Sequence, residues 1–375
     1  MSVISVVAGL VLVVATGASM AATFVMPRGR SLAQKPAFLV DRAVRSMAVM
    51  FVRPIKDFRR QDGILSTIGP VALLAQLACF LLLFLIGYSI ALSSSSGSFG
   101  QAVRSAGSSL FTVGLVHEGG HENSALEIAA AATGAIAIAL QIGYLPAIYQ
   151  AFNRRESLVT LMESRAGVPA WGPELLVRHQ LVGSTDALAE LYRDWELWAA
   201  DLAESHVSYP VLLYFRSPEP GFSWILSLLA ILDGAALQLA LFPQSAPSEA
   251  RMCLRMGFTA VRRIAATLGW TYERDPMPDS DIELSFEEFV YAVELLSSVG
   301  FTLERTAEEA WPHFVGWRVN YEALAYRLAD FLVAPHAPWS GDRRHLKTEL
   351  MMPDRPPHRN PDGGIVKEGR YRPPH

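Results

Sequence analysis

Ser105-Ala-Gly-Ser-Ser-Leu-Phe-Thr-Val-Gly-Leu-Val116 is an uncharged run between two long apolar stretches, residues 64–92 and 125–149. As a plain loop it joins two helices and nothing more. As a re-entrant segment it is a short helix over Phe99–Phe111 followed by irregular backbone at membrane depth. Lipid tolerates such backbone only where protein or water covers it. Glycine at 114 suits a backbone that must turn its carbonyls inward.

The surroundings favour membrane depth. Of 375 residues, 51% are hydrophobic and 18% charged, and the mean hydropathy is +0.25. Charged residues run nearer a quarter in soluble domains. The apolar runs fall before residue 150 and most of the charge after it, so a membrane part precedes a water-facing part. Residues 3–25 carry no charge, and at 1.5 Å per residue they reach about 34 Å, enough to cross the hydrocarbon. No Lys or Arg precedes that run, so it reads as a retained anchor rather than a signal peptide. Ile64–Leu92 is the strongest span, and Ala125–Tyr149 is rich in small residues that let helices approach closely.

Basic residues set the orientation. Arg28, Arg30, Lys35, Arg42, Arg45, Arg53, Lys56, Arg59 and Arg60 lie between the first two spans, and Arg154 and Arg155 follow the third. Only Arg104 lies between the second and third, beside Glu118 and Glu122. The positive-inside rule then puts residues 27–63 and the C-terminal half in the cytoplasm and the Ser105–Val116 run outside. The basic segment is also amphipathic: Phe38, Leu39, Ala43, Met47, Met50 and Phe51 recur near helical spacing. It suits either the inner leaflet or the surface of the soluble half. Cys79 and Cys253 fall in different halves, which gives no reason to expect a disulfide. A net charge of -4 gives no reason to expect nucleic acid.

Span, short helix, Thr112-Val113-Gly114, span: over residues 64–156 this order resembles the two-span, pore-loop potassium-channel family of bacterial membrane proteins. The helix end Gly143-Tyr-Leu-Pro-Ala-Ile-Tyr-Gln-Ala-Phe-Asn-Arg-Arg-Glu156 also looks like the end of an inner helix in bacterial channel-like proteins. Leu115 stands where an aromatic is usual, and Val116 where a second glycine is. The resemblance implies a selectivity filter over Thr112, Val113, Gly114, Leu115 and Val116, whose backbone carbonyls replace an ion's hydration shell. It implies potassium or another monovalent cation as the permeant ion. One pore loop per chain implies a homotetramer in membrane lipid. Glu118 and Glu122 would concentrate cations at the pore mouth. Gly134 and Gly143 are candidates for a gating hinge or for close helix packing.

His117-Glu-Gly-Gly-His121 competes with this reading. It matches the H-E-x-x-H pattern in which two His hold zinc and Glu118 acts as general base. With Ile231-Leu-Asp-Gly234 it resembles the intramembrane site-2 proteases, Asp233 being the third ligand. Two central glycines cost such a helix about 2 kcal/mol relative to Ala. The orientation also separates the motif from Asp233. The chain is therefore expected not to be an enzyme, with no catalytic residue, resident metal or cofactor. A non-conducting scaffold or sensor on a degenerate pore frame is the remaining alternative.

Residues 157–336 read as successive helices: Trp171–Gln180, Thr185–Ser205, Phe222–Leu241, Ser248–Leu268, Ser285–Ser298 and Glu304–Val333, with Pro and Gly between them. Asp233 in the apolar Phe222–Leu241 run needs a cationic partner, such as Arg262 or Arg263. Asp279-Ser-Asp-Ile-Glu283 reads as an N-cap before Leu284–Ser298. Residues His206–Pro210 and Tyr214–Pro218 read as connectors. The expected chain is an all-α membrane protein with three transmembrane helices, a re-entrant pore loop and an all-α cytoplasmic domain. Its parts are an inner-membrane anchor (1–26), a basic amphipathic segment (27–63), a pore domain (64–156), a helical domain (157–336) and a disordered tail (337–375).

Overall fold

The computed structural model describes residues 3–25, 35–96, 98–114, 124–343 and 349–355. Its regular elements among these residues are all helical. They are α1 (Val3–Phe24), α2 (Lys35–Val52), α3 (Phe58–Leu65), α4 (Ile68–Leu92), α5 (Phe99–Leu110), α6 (Ser124–Ala166) and α7 (Gly172–Leu181). After these come α8 (Leu188–Ser208), α9 (Trp224–Leu241), α10 (Ser248–Thr267), α11 (Phe286–Ser298), α12 (Ala307–Arg318) and α13 (Glu322–Phe331). The chain forms two compact units. One comprises Met1–Met50, Thr67–Ala151 and Val207–Phe215, and the other Phe51–Ser66, Phe152–His206 and Arg216–His375.

Four helical stretches are long and apolar enough to cross a membrane: Val3–Phe24, Phe58–Leu92, Ser124–Ala166 and Trp224–Leu241. Burial separates them. The apolar windows of the first three are only 22%, 39% and 22% buried, whereas that of α9 is 94% buried. An apolar helix wrapped by its own chain needs no lipid, while one left uncovered needs another apolar surface.

In the first unit, α1, α4, α5 and α6 share one core. Phe80, Phe84, Tyr88 and Leu92 of α4 meet Ala102, Ala106 and Leu110 of α5 and Ala130 and Ala137 of α6. Small residues set the α1–α4 crossing, where a Cβ on Gly9 would stand 2.5 Å from Ala91 N. On α6 the buried positions Ala130, Gly134, Ala137, Gln141, Tyr144, Ile148 and Ala151 alternate by four and three, one seam along a long helix. Its other face leaves Ile128, Ile136, Ile138 and Ile142 exposed. Two polar pairs cross this core, while Gln76 Oε1 and Gln141 Oε1 have no partner among the described residues. Tyr88 Oη lies 2.8 Å from Thr133 Oγ1, and Gln141 Nε2 donates to Leu73 O at 3.4 Å.

The second unit is built round α9, with α7, α10, α12 and α13 against it. Every residue of α9 except Gln238 is buried. The partner of Asp233 is Arg318, neither Arg262 nor Arg263. Arg318 donates from Nη1 to Asp233 and from Nε to Glu322 at 2.8 Å. Arg262 instead lies over the Phe258 ring at 4.7 Å. The expected helix Glu304–Val333 is two helices, α12 and α13. α12 ends at Arg318, and Tyr321, in the break at 319–321, also donates from Oη to Asp233 at 2.8 Å. Glu304 lies before α12, where its carboxylate accepts from Gln244 N at 2.7 Å.

The cap before α11 is Ser285 rather than the Asp279–Glu283 stretch. Its Oγ accepts from Glu288 N at 3.2 Å, and the Glu288 carboxylate accepts from Ser285 N at 3.0 Å, a complete capping box. The expected disorder from residue 337 is also corrected for the described residues 337–343 and 349–355. Trp339 is buried edge-on to Trp171, ring centroids 5.9 Å apart. Buried Arg343 donates to the carbonyls of Ala334, at 2.7 Å, and Ser340, at 2.9 Å. Arg355 pairs with Glu174. One large apolar ring and satisfied guanidinium donors hold a stretch whose composition is otherwise that of a tail.

Candidate functional site

The candidate site is the end of α5. Ser98 caps its start by accepting from Gln101 N at 3.3 Å, which satisfies an orphan donor of the first turn. Ala102, Ala106 and Leu110 recur every fourth residue and are fully or almost fully buried. They press α5 onto α4 and α6. Ser105 Oγ donates at 2.7 Å to Glu127 near the start of α6, and this ties the short helix to its neighbour laterally.

The C-terminus of α5 is a complete Schellman turn. Val113 N donates to Ser108 O at 2.9 Å and Thr112 N to Ser109 O at 2.9 Å. The turn needs a left-handed residue, and glycine usually supplies it. Here it is Thr112, at φ 53°. A β-branched residue in that region is strained, on the order of 1–3 kcal/mol, and such strain collects at functional positions. Gly114 follows at φ 71°. Phe111, Thr112, Val113 and Gly114 are all exposed. The negative end of the α5 dipole points into this stretch and favours a cation there.

Thr112, Val113 and Gly114 form the exposed turn just described. Leu115, Val116, Glu118 and Glu122 lie outside the described residues, as do His117 and His121 of the competing motif. Gly134 packs against the end of α5: a Cβ there would clash with Leu110 O and lie 3.0 Å from Leu110 C. Gly143 is open, with nothing within 4 Å of a Cβ, and Pro146 follows inside the same helix. Asp233 is bonded to Arg318 and Tyr321 in the second unit, so its carboxylate is already committed.

Two acidic groups of this unit escaped the sequence reading. Glu127 had a readable signal, an acid in the first turn of α6 where the helix dipole favours it. Asp41 had only its place on the buried face of the amphipathic α2. It is 3% exposed and accepts from Gln76 Nε2 at 2.6 Å. Burial pushes its carboxyl up to about 7, against the opposing bond from Gln76. Gln76 Oε1 is buried without a partner among the described residues, and a protonated Asp41 offers the O–H donor it lacks.

The folded state therefore binds the Asp41 proton more tightly than the unfolded chain, whose carboxyl titrates near 3.8. The stabilisation from this group is full below pH 4 and is lost as pH rises through 7. Between pH 6 and 8 the loss is about 1.4 kcal/mol, one proton held over one pH unit on average. Asp41→Asn keeps the pairing and removes the titration. Differential scanning calorimetry of the solubilised chain, with the second unit's transition assigned by its tryptophan fluorescence, reads this unit. The melting temperature of D41N should rise relative to the parent by about 3–6 °C from pH 6 to pH 8. An unchanged difference between the two would exclude Asp41 as the titrating group.

No family model, no curated protein and no solved structure matches this chain.

Proposed function

We propose that the chain is one subunit of a homotetrameric, potassium-channel-like cation channel of the inner membrane, with α1, α4 and α6 as its three spans. The carrying observation is α5, a capped helix of three turns enclosed between two uncovered apolar helices. Its C-terminal end delivers a strained Thr112 and an exposed Val113-Gly114. On this reading Thr112–Val116 form the filter and Glu118 and Glu122 the mouth. Glu127, held on the pore helix by Ser105, adds negative potential beside the ion path. The permeant ion is potassium or another monovalent cation. The second unit is cytoplasmic and regulates or assembles the tetramer. α9 belongs to its core, which agrees with the enclosure of that helix by its own chain.

Cation flux in proteoliposomes tests the reading, parent beside Gly114→Ala. Alanine at a left-handed position costs about 1–2 kcal/mol in backbone energy, and it also displaces the carbonyls that would face the ion. Flux through the parent and a loss of at least tenfold in G114A are expected. No flux from the parent with any monovalent cation, or a monomer in mild detergent, would overturn the proposal. The hydrogen-bonded Ser108–Val113 turn favours one other reading, a non-conducting sensor on the same frame. That reading predicts a tetramer without flux.

A further inference from the structure

The second unit contains a cavity of about 440 Å3 beside the ends of α6 and α7, lined by Arg165, Arg178, His179, Leu181, Val182 and Arg355 among others. Its size falls in the range of small-molecule sites. The cationic groups have different tasks. Arg178 is spent on structure: Nε donates to Glu174 at 2.8 Å, Nη1 to Glu163 O at 2.7 Å, and Nη2 to Asp354 O at 2.6 Å. Arg355 donates to the same Glu174, from Nε at 2.9 Å. Arg165 is half-buried at the rim and makes no ion pair among the described residues.

His179 Nδ1 lies 2.7 Å from Leu175 O. Burial lowers its pKa, with Arg165 adding to the effect, so at neutral pH it carries no charge.

The charge count selects the ligand. Three guanidinium groups line the cavity with no carboxylate among the lining residues; Glu174 takes one charge, Glu163 and Asp354 are exposed to solvent, and two positive charges are left. The C-termini of α6 and α7 oppose them with about half a negative charge each. One uncompensated positive charge remains, and the cation without an ion pair among the described residues is Arg165. Leu181 and Val182 supply apolar wall, with Val182 61% exposed at the opening. We propose that this cavity binds a small organic monoanion, a carboxylate on a compact apolar body, with Arg165 as the group that reads the charge. The inference does not rest on ion conduction, and its test does not measure flux.

The test is calorimetric titration of the solubilised full-length chain with benzoate and with neutral benzamide. Saturable benzoate binding is expected, with benzamide at least tenfold weaker. Arg165→Ala should weaken benzoate at least tenfold and leave benzamide unchanged, while Arg165→Lys retains most of the benzoate affinity. Val182→Trp, which fills the opening, should abolish both. Equal binding of the two probes would overturn the proposal, as would wild-type affinity in R165A. No binding of either probe by the parent at about 10 mM would do the same, since affinity that weak is below 3 kcal/mol of binding free energy.

Discussion

Replacing Arg318 by methionine should destabilise the second unit by about 3–5 kcal/mol, the cost of removing one partner from a buried charge network. Arg318 is wholly buried, and Asp233 and Glu322 are 1% and 3% exposed. It also donates to Tyr326 Oη at 2.7 Å and to Trp339 O at 2.9 Å. Methionine fills similar volume, so the loss is not a cavity effect. It comes from two carboxylates left without a cation. Tyr321 still donates to Asp233, and Glu322 still accepts from Glu283 N at 2.5 Å, so the remaining bonds soften the penalty without removing it.

The readout is internal. All eight tryptophans of the chain lie between 171 and 339, in the second unit, so tryptophan fluorescence follows its unfolding alone. A drop of about 6–20 °C in melting temperature is expected for a domain of this size. Adding Asp233→Asn and Glu322→Gln to R318M should recover part of the loss, because the neutral groups no longer need the cation. A shift under about 2 °C would mean the network contributes little to stability.

The same residues mark where sequence reasoning reaches its limit. The apolar helix carrying Asp233 was legible, and so was its need for a cation. The identity of that cation was not, because Arg318 lies 85 residues away and Arg262 is as good a candidate by charge alone. The break between α12 and α13 carried no Pro or Gly at 319–321. Arg318 and Tyr321 reach one carboxylate there. Trp339 and Arg343 looked like tail composition because their burial depends on Trp171, Phe314 and the carbonyls that receive them.

At the candidate site the legible part was local. Helix periodicity over Phe99–Phe111 and the glycine at 114 lie within one short window. The illegible part was again tertiary: Asp41 against Gln76, and Gly134 against the end of α5. Both need α2, α4, α5 and α6 to be placed before a partner appears.

Gly134→Ala should be the most damaging single-methyl change in the first unit. A Cβ at 134 meets backbone, the carbonyl of Leu110, and backbone cannot rotate aside as a side chain does. Either α6 moves away or the last turn of α5 shifts, and that turn carries Thr112–Gly114. Overpacking of this kind costs about 1–3 kcal/mol, and its functional effect exceeds its energetic one because the displaced residues are the proposed filter. Flux should fall at least as far as in G114A, with a lower melting temperature of the first unit by calorimetry.

Gly143→Ala is the control, since nothing lies within 4 Å of that Cβ and alanine favours a helix over glycine by about 1 kcal/mol. It should keep the oligomeric state and stability of the parent. If Gly143, with Pro146 one turn on, is the gating hinge, G143A lowers open probability alone. That outcome would assign gating to Gly143 and close packing to Gly134. Parent-like flux and melting in G134A would show that α6 does not position α5, and the proposed pore loop would then lose its main argument.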